Sequence, residues 1–378
     1  RRVLFRSYVI PGSPAAQAGL ERGDWIMKVD TSYISKKYET YLLQGTKAVK
    51  LTLGEWKEVE IEDEEDGNEG GDGEDEGPTM EYRVVPIDDP VEMPAAQIVE
   101  DNPVHKYEII ESPVKKIRVG YLMYNSFTAG TKAEPEKYNN ELRSVSQKFK
   151  EAGVQAVILD LRYNEGGSMD CVQLLGTILT SADRLGEPMA YLEYNDKNTD
   201  KDATILFGTD REINLNLHSL IAITSGTTMG APEMLIRSLF LEDTYPIATV
   251  GSSTKGQNVA TEQFINEEFL WSVNPVVCTV YNSQHDTYGA ISPATDLKVS
   301  ETTIDGSTNY SEFLPFGTFD KDGKSERLLK IAIGVLDGTY PPKDDETPEE
   351  STTQTRFKVE KSVSSPASRR FSSKGLRL

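Results

Sequence analysis

At 378 residues, with 37% apolar and 27% charged side chains, the chain is long enough for two domains that each bury a core. A formal charge of -21 argues against nucleic acid or an anionic membrane surface as a partner. Ten of the acids crowd into residues 62–76, so the rest is only moderately acidic. Two cysteines, Cys171 and Cys278, are too few for a disulfide framework and are expected as buried free thiols. The three histidines (His105, His218 and His285) lack ligand spacing, so neither a structural metal nor a cofactor is expected. No apolar run approaches the ~18 residues of a membrane span. No signal peptide is present, and an export signal or lipid anchor would lie upstream of Arg1.

In chain order, residues 3–30 read as strand, turn, short helix, turn, strand. Pro11, Gly12, Ser13 and Pro14 make the first turn, and Ser13 or Pro14 opens a helix over 15–18 that Gly19 ends. Trp25, Ile26, Met27 and Val29 predict the next strand, followed by a helix near 36–43 and a strand near 49–53. The acidic, glycine-rich stretch 62–77 (EDEEDGNEGGDGEDEG) cannot offset its ordering entropy by burial and reads as a disordered insertion. A strand over 81–85 completes a first domain spanning 1–85, and 86–106 reads as a linker.

The second domain is expected over 107–340. Residues 116–123 alternate as a half-buried strand, and Tyr138, Leu142, Val145 and Phe149 lie at helical spacing in an amphipathic helix over 135–149. The run AVILDL at 156–161 is short, apolar and β-branched, as a central parallel strand should be. A helix over 169–179, strands over 205–207 and 217–224, a helix over 231–241 and a late strand over 276–280 follow. Alternating strand and helix imply an α/β core. Residues 341–378 lack apolar periodicity and read as a disordered tail.

Two segments carry chemistry: 158–168 (ILDLRYNEGGS), a buried strand breaking into a glycine turn, and 223–233 (ITSGTTMGAPE), a strand leading into a small-residue helix start. With 119–127, 251–259 and 314–338 they resemble the S41 peptidases, the C-terminal-processing or tail-specific proteases. Residues 11–26 (PGSPAAQAGLERGDWI) resemble the PDZ domain of the bacterial members. The resemblance implies a crotonase/ClpP-like α/β core preceded by a PDZ-like domain that is incomplete at its front. It further implies peptides or unfolded protein segments as partners, and a place in a bacterial envelope, either periplasmic or lipid-anchored.

Such a peptidase needs an attacking hydroxyl, a lysine base and N–H donors for the oxyanion. The resemblance assigns the donors to the glycine turn, Gly166 and Gly167, and to the amide of Ala231 at a helix start. The nucleophile falls three positions before Glu233, which is Gly230, a residue with no attacking atom. Ser225, Thr227 and Thr228 are the neighbouring hydroxyls. In the register of the family's T-x-G-K-N-V stretch the base position is Gln257, whereas by spacing it is Lys255, 25 residues after Gly230. The expectation is a non-cleaving pseudopeptidase that binds peptides or proteins. The alternatives are an active serine-type endopeptidase using a displaced hydroxyl with Lys255, and a structural envelope protein.

Overall fold

The computed structural model describes residues 4–5, 8–34, 47–61, 79–269, 271–299, 314–320, 325–341 and 375–378. These fall into two compact units, one running to Glu100 with 314–315 and the other from Asp101, with 316–341 and 375–378. The helix expected near 36–43, the acidic insertion 62–77 and most of the expected tail lie outside the described residues.

In the first unit, β1 (Leu4–Phe5), β2 (Trp25–Val29), β4 (Val49–Ile61) and β5 (Thr79–Pro86) form an antiparallel path. β3 (Ser32–Tyr33) pairs with β2, and β6 (Val91–Met93) pairs with β4. The short helix α1 (Pro14–Gln17) starts where the sequence places it: the Ser13 hydroxyl accepts from Ala16 N–H at 3.2 Å and Pro14 occupies the first turn. Gly19 follows with φ +77°, the left-handed conformation that ends a helix. Leu20, Ile26, Val29, Ile34, Val49 and Leu51 make the core of this unit. The expected linker 86–106 is more structured than its sequence suggests. Val91 and Met93 lie against that core as strand β6, and β7 begins at Val104.

The second unit is built on a five-stranded sheet in the order β14-β13-β9-β8-β7. β8 (Arg118–Tyr124), β9 (Ala156–Asp160), β13 (Leu220–Thr224) and β14 (Ile247–Gly251) run parallel, and β7 (Val104–Glu111) closes one edge antiparallel. Alternation sends Leu122, Tyr124, Val157, Leu159 and Ala222 into one core shared with α2 (Lys137–Glu151), α3 (Met169–Leu179) and α4 (Ala231–Leu239). The intervening residues face the opposite side, where α5 (Arg327–Asp337) packs on β13 and β14. Both faces are covered, which is why the parallel strands read as unbroken apolar runs.

A second, mixed sheet carries the order β10-β19-β15-β18-β11-β12. Its strands are β10 (Gly166–Ser168), β11 (Pro188–Tyr194), β12 (Ala203–Leu206), β15 (Val259–Thr261), β18 (Val276–Tyr281) and β19 (Gly375–Arg377). A small hairpin of β16 (Phe264–Asn266) and β17 (Trp271–Val273) stands apart. β19 corrects the expectation of a structureless tail: residues 375–377 form a strand flanked on both sides. Among the described residues no helix is long and apolar enough to cross a membrane.

Candidate active site

The parallel strands deliver two loops to one place. Beyond β9 the chain turns through 161–165 into β10, and beyond β13 it turns through 225–229 into α4. Asn164, fully buried, ties them together. Its side-chain amide donates to the Tyr124 carbonyl at 2.8 Å, its Oδ1 accepts from Gly166 N–H at 3.0 Å, and its carbonyl accepts from Met229 N–H at 3.2 Å.

The glycine turn has no room for side chains. Gly166 and Gly167 have φ +118° and +140°, a region that L residues rarely adopt. A Cβ on Gly167 would collide with the Phe127 carbonyl, and one on Gly166 with the carbonyl of Gly375. β10 is gripped on one side by Phe127, whose N–H donates to Gly166 O at 2.9 Å and whose carbonyl accepts from Ser168 N–H at 2.8 Å. On the other side lies β19, in parallel register with Gly166 opposite Gly375. Gly375 N–H donates to Glu165 O at 2.7 Å, so the parallel pattern directs the Gly167 N–H at the Gly375 carbonyl. The N–H assigned to an oxyanion thus faces a peptide carbonyl.

Gly230 immediately precedes α4 with φ +70° and ψ -101°, a strained conformation for any residue bearing a Cβ. A Cβ there would lie 2.6 Å from Gly375 C, Gly375 Cα and Leu376 N. The Gly375–Leu376 peptide bond therefore rests directly on the position read as the nucleophile's. Ala231, fully buried, is the first residue of α4, where N–H groups have no acceptor within the helix.

Glu233 organises this corner, although in the sequence it serves only to mark the register of Gly230. Its carboxylate is fully buried and accepts from Gly230 N–H at 2.8 Å, Gln257 N–H at 2.9 Å, Gly256 N–H and the Thr254 hydroxyl. One side chain thereby locks the helix start to the 254–257 loop. The arrangement completes half of a capping box, with the N3 glutamate reaching back to the N-cap amide.

The two base registers separate in space. Lys255 is exposed, and its backbone N–H donates to Thr228 O at 3.1 Å. Gln257 lies against Gly375, within 2.9 Å of where a Cβ on that glycine would stand. Its Oε1 is buried without a hydrogen-bond partner among the described residues. The neighbouring hydroxyls are engaged elsewhere. Ser225 and Thr227 donate to the Arg162 carbonyl, the latter at 2.7 Å, and Thr228 donates to Leu161 O at 2.9 Å.

Beneath the turn lies a charged network that the sequence signals only as D-x-R at the end of an apolar strand. Arg162, fully buried, donates Nε to Asp160 Oδ1 at 2.9 Å, Nη2 to Asp160 Oδ2 at 2.6 Å and Nη1 to Glu326 Oε1 at 2.8 Å. The Tyr121 hydroxyl donates to Asp160 at 2.8 Å, and Glu326 Oε2 accepts from Leu329 N–H at 2.9 Å to cap α5. Burial pushes the Asp160 carboxyl up, against the opposing pull of Arg162. Cys171 and Cys278 are both buried, and burial lifts their thiols to about 12 and about 11. Neither is a thiolate near neutral pH.

Comparison with known proteins agrees with this architecture. The model of peptidase family S41 matches residues 118–273, and a PDZ domain model matches residues 5–52. A candidate S41 protease from Bacteroides fragilis NCTC 9343, solved as a crystal structure, is 37% identical; the match covers 88% of this chain and 77% of that one at a TM-score of 0.71. A photosystem II D1 C-terminal processing protease matches at 16% identity over 79% of this chain and 71% of its own, with a TM-score of 0.43. A lipoprotein from Streptococcus agalactiae matches at 19% over 50% and 63%, with a TM-score of 0.37. No curated protein sequence matches significantly. The fold is a peptidase-type α/β core accompanied by a PDZ domain. The chain belongs to peptidase family S41.

Proposed function

We propose that this chain is a non-cleaving member of its family, a pseudopeptidase that holds extended peptide or unfolded protein segments in the S41 cleft. The observation that carries the reading is the contact at Gly230. The position that faces a peptide bond has no side chain at all, so no covalent acyl intermediate can form there. Three further observations support it. Ser225, Thr227 and Thr228 already donate to main-chain carbonyls. Gln257, whose amide is no base at neutral pH, lies against Gly375. Lys255 is exposed, and it is its backbone N–H that reaches this corner, donating to Thr228 O. The glycine turn and the flanking strand edges remain suited to binding by strand addition. A bacterial envelope location, periplasmic or lipid-anchored, belongs to the same proposal and rests on family resemblance.

A serine-directed fluorophosphonate probe and a panel of unstructured peptides test the chemistry together. The expected result is no covalent adduct and no cleavage. Labelling at any residue of the 225–231 loop, or turnover that disappears in Lys255→Ala, would favour an active endopeptidase. Fractionation of the native host tests the location, and a cytoplasmic pool alone would refute it.

A further inference from the structure

We propose that residues 375–378 are the cleft's own intrasteric ligand, and that the site is built for an extended segment with glycine over Gly230 followed by a buried aliphatic residue. The inference rests on the peptide-binding reading above and adds its occupant, its specificity and its regulation.

The occupant is defined by two strand edges that, among the described residues, pair with no other strand. β10 and β15 are neighbours only through β19, which runs parallel to both, with Gly167 and Ala260 opposite Leu376. Two interstrand spacings of ~4.8 Å leave a slot one strand wide. A side-chain bond and the closing bond of the ladder seat the segment further. Thr261 Oγ1 donates to Leu376 O at 3.2 Å, and Leu378 N–H donates to Thr261 O at 3.1 Å.

Specificity follows from what each residue meets. Gly375 has φ +100°, and a Cβ there would strike the Gln257 side chain, so the position over Gly230 takes glycine. Leu376 is 1% exposed and belongs to the same apolar core as residues of α3 and α4, so the next position takes an aliphatic side chain. Gly230 contributes directly. Because it lacks a Cβ, the segment's backbone sinks into volume that a serine would fill. The residue that removes the chemistry therefore also deepens the slot.

Regulation follows from covalent attachment. A tethered segment competes at an effective concentration on the order of millimolar. A free peptide that binds the open cleft at about 0.1 mM is therefore weakened about tenfold in the intact protein. Opening the cleft requires only that the segment leave.

The test titrates a fluorescent peptide of residues 372–378, SSKGLRL, against three proteins: the unmodified chain, Leu376→Asp and Gly375→Val. The first variant places a charge in the apolar pocket, and the second forces a β-branched residue into positive φ against Gln257, so two unrelated perturbations should both empty the slot. The expected result is at least tenfold tighter binding to both variants, with a peptide-dependent rise in Tm that the unmodified chain lacks. The same peptide carrying valine in place of glycine should not bind. Equal affinity for all three proteins would overturn self-occupancy, and binding to none would overturn the peptide-binding reading with it. Should both variants fail to fold, hydrogen exchange on the unmodified chain decides. Protected Leu376 and Leu378 amides support the proposal, and unprotected ones refute it. Mass spectra of the recovered peptide separate the two readings: cleavage between its Gly and Leu would sink the non-cleaving reading while supporting occupancy.

Discussion

Replacing Gly230 by serine should destabilise the protein, and by two separable routes. The first is local. At φ +70° and ψ -101° a residue with a Cβ carries about 1–3 kcal/mol of strain. The second is steric and reaches across the cleft. The new Cβ would lie 2.6 Å from three backbone atoms of the Gly375–Leu376 linkage. Carbon pairs prefer about 3.5 Å, so that linkage must retreat by roughly 1 Å. It has nowhere to go while held by both β10 and β15, so the segment leaves and Leu376 loses about 1.5–3 kcal/mol of burial. Lost ladder hydrogen bonds add to that loss. Conformational entropy regained by the released residues offsets most of the sum, leaving the tenfold preference for the occupied slot, about 1.4 kcal/mol. A net destabilisation of about 2–4 kcal/mol results, and at about 2–4 °C per kcal/mol the Tm falls by roughly 5–15 °C. A double-mutant cycle with Leu376→Asp isolates the second route. Where the segment is already expelled, serine should add only its local strain, giving a coupling of at least about 1 kcal/mol. Chemical denaturation of the four proteins supplies the numbers. Additivity within about 0.5 kcal/mol, or a single variant as stable as its parent, would refute the contact between Gly230 and the segment.

Three other variants, two single and one triple, probe the frame. Glu233→Gln exchanges an all-acceptor carboxylate for an amide facing three N–H groups and a hydroxyl. It should cost about 2–4 kcal/mol in a denaturant titration and accelerate amide exchange at Gly256 and Gln257; a loss below about 0.5 kcal/mol would contradict its organising role. Asp337, at the end of α5, feels burial pushing its carboxyl up, but amide hydrogen bonds from Lys115 at 3.0 Å and Val114 at 2.9 Å prevail and hold it below the usual value of 3.8. Its contribution is therefore complete above about pH 3.8 and fades as pH falls through the lower folded-state value. Asp337→Asn should be about 1–2 kcal/mol less stable near neutrality and approach the parent in acid, and a pH-independent gap would contradict this. Finally, Gly230→Ser with Gln257→Lys, combined with Leu376→Asp to empty the cleft, should hydrolyse peptides above background. Complete inactivity of that folded triple variant would count against Gln257 as the base position.

Most of the α/β frame is legible from local pattern. α3 spans the residues its apolar spacing predicts, and β9 reads directly from its continuous apolar run. β11 escapes because its burial alternation is broken by a bulge between Pro188 and Ala190. β19 escapes for a deeper reason. Gly375, Leu376 and Arg377 have no strand pattern of their own, and they become a strand because two distant edges bracket them. The site divides in the same way. On the proposed reading the nucleophile position falls at Gly230 by counting from Glu233, whereas the motif register places the base at Gln257 and spacing places it at Lys255. The fold exposes Lys255 and sets Gln257 against Gly375, and both are properties of the folded loop that no local pattern carries.

Under the non-cleaving reading proposed above, that loop also accounts for a peptidase frame that keeps its shape without its chemistry. Gly230 is positioned entirely through its backbone: its N–H donates to Glu233 and its carbonyl accepts from Met234 N–H at 2.9 Å. Gln257 is held in turn by its own N–H on the same carboxylate. Neither the turn nor the helix start draws on a nucleophile's hydroxyl or a base's amine, so on that reading the loss of both groups leaves the scaffold's hydrogen bonds intact. The loss frees volume instead, and residues 375–376 fill it. On the proposed function, binding and catalysis are separable for a physical reason: the scaffold is main chain, the Asn164 amide and a buried carboxylate, whereas the chemistry would need two side chains that the scaffold does not use.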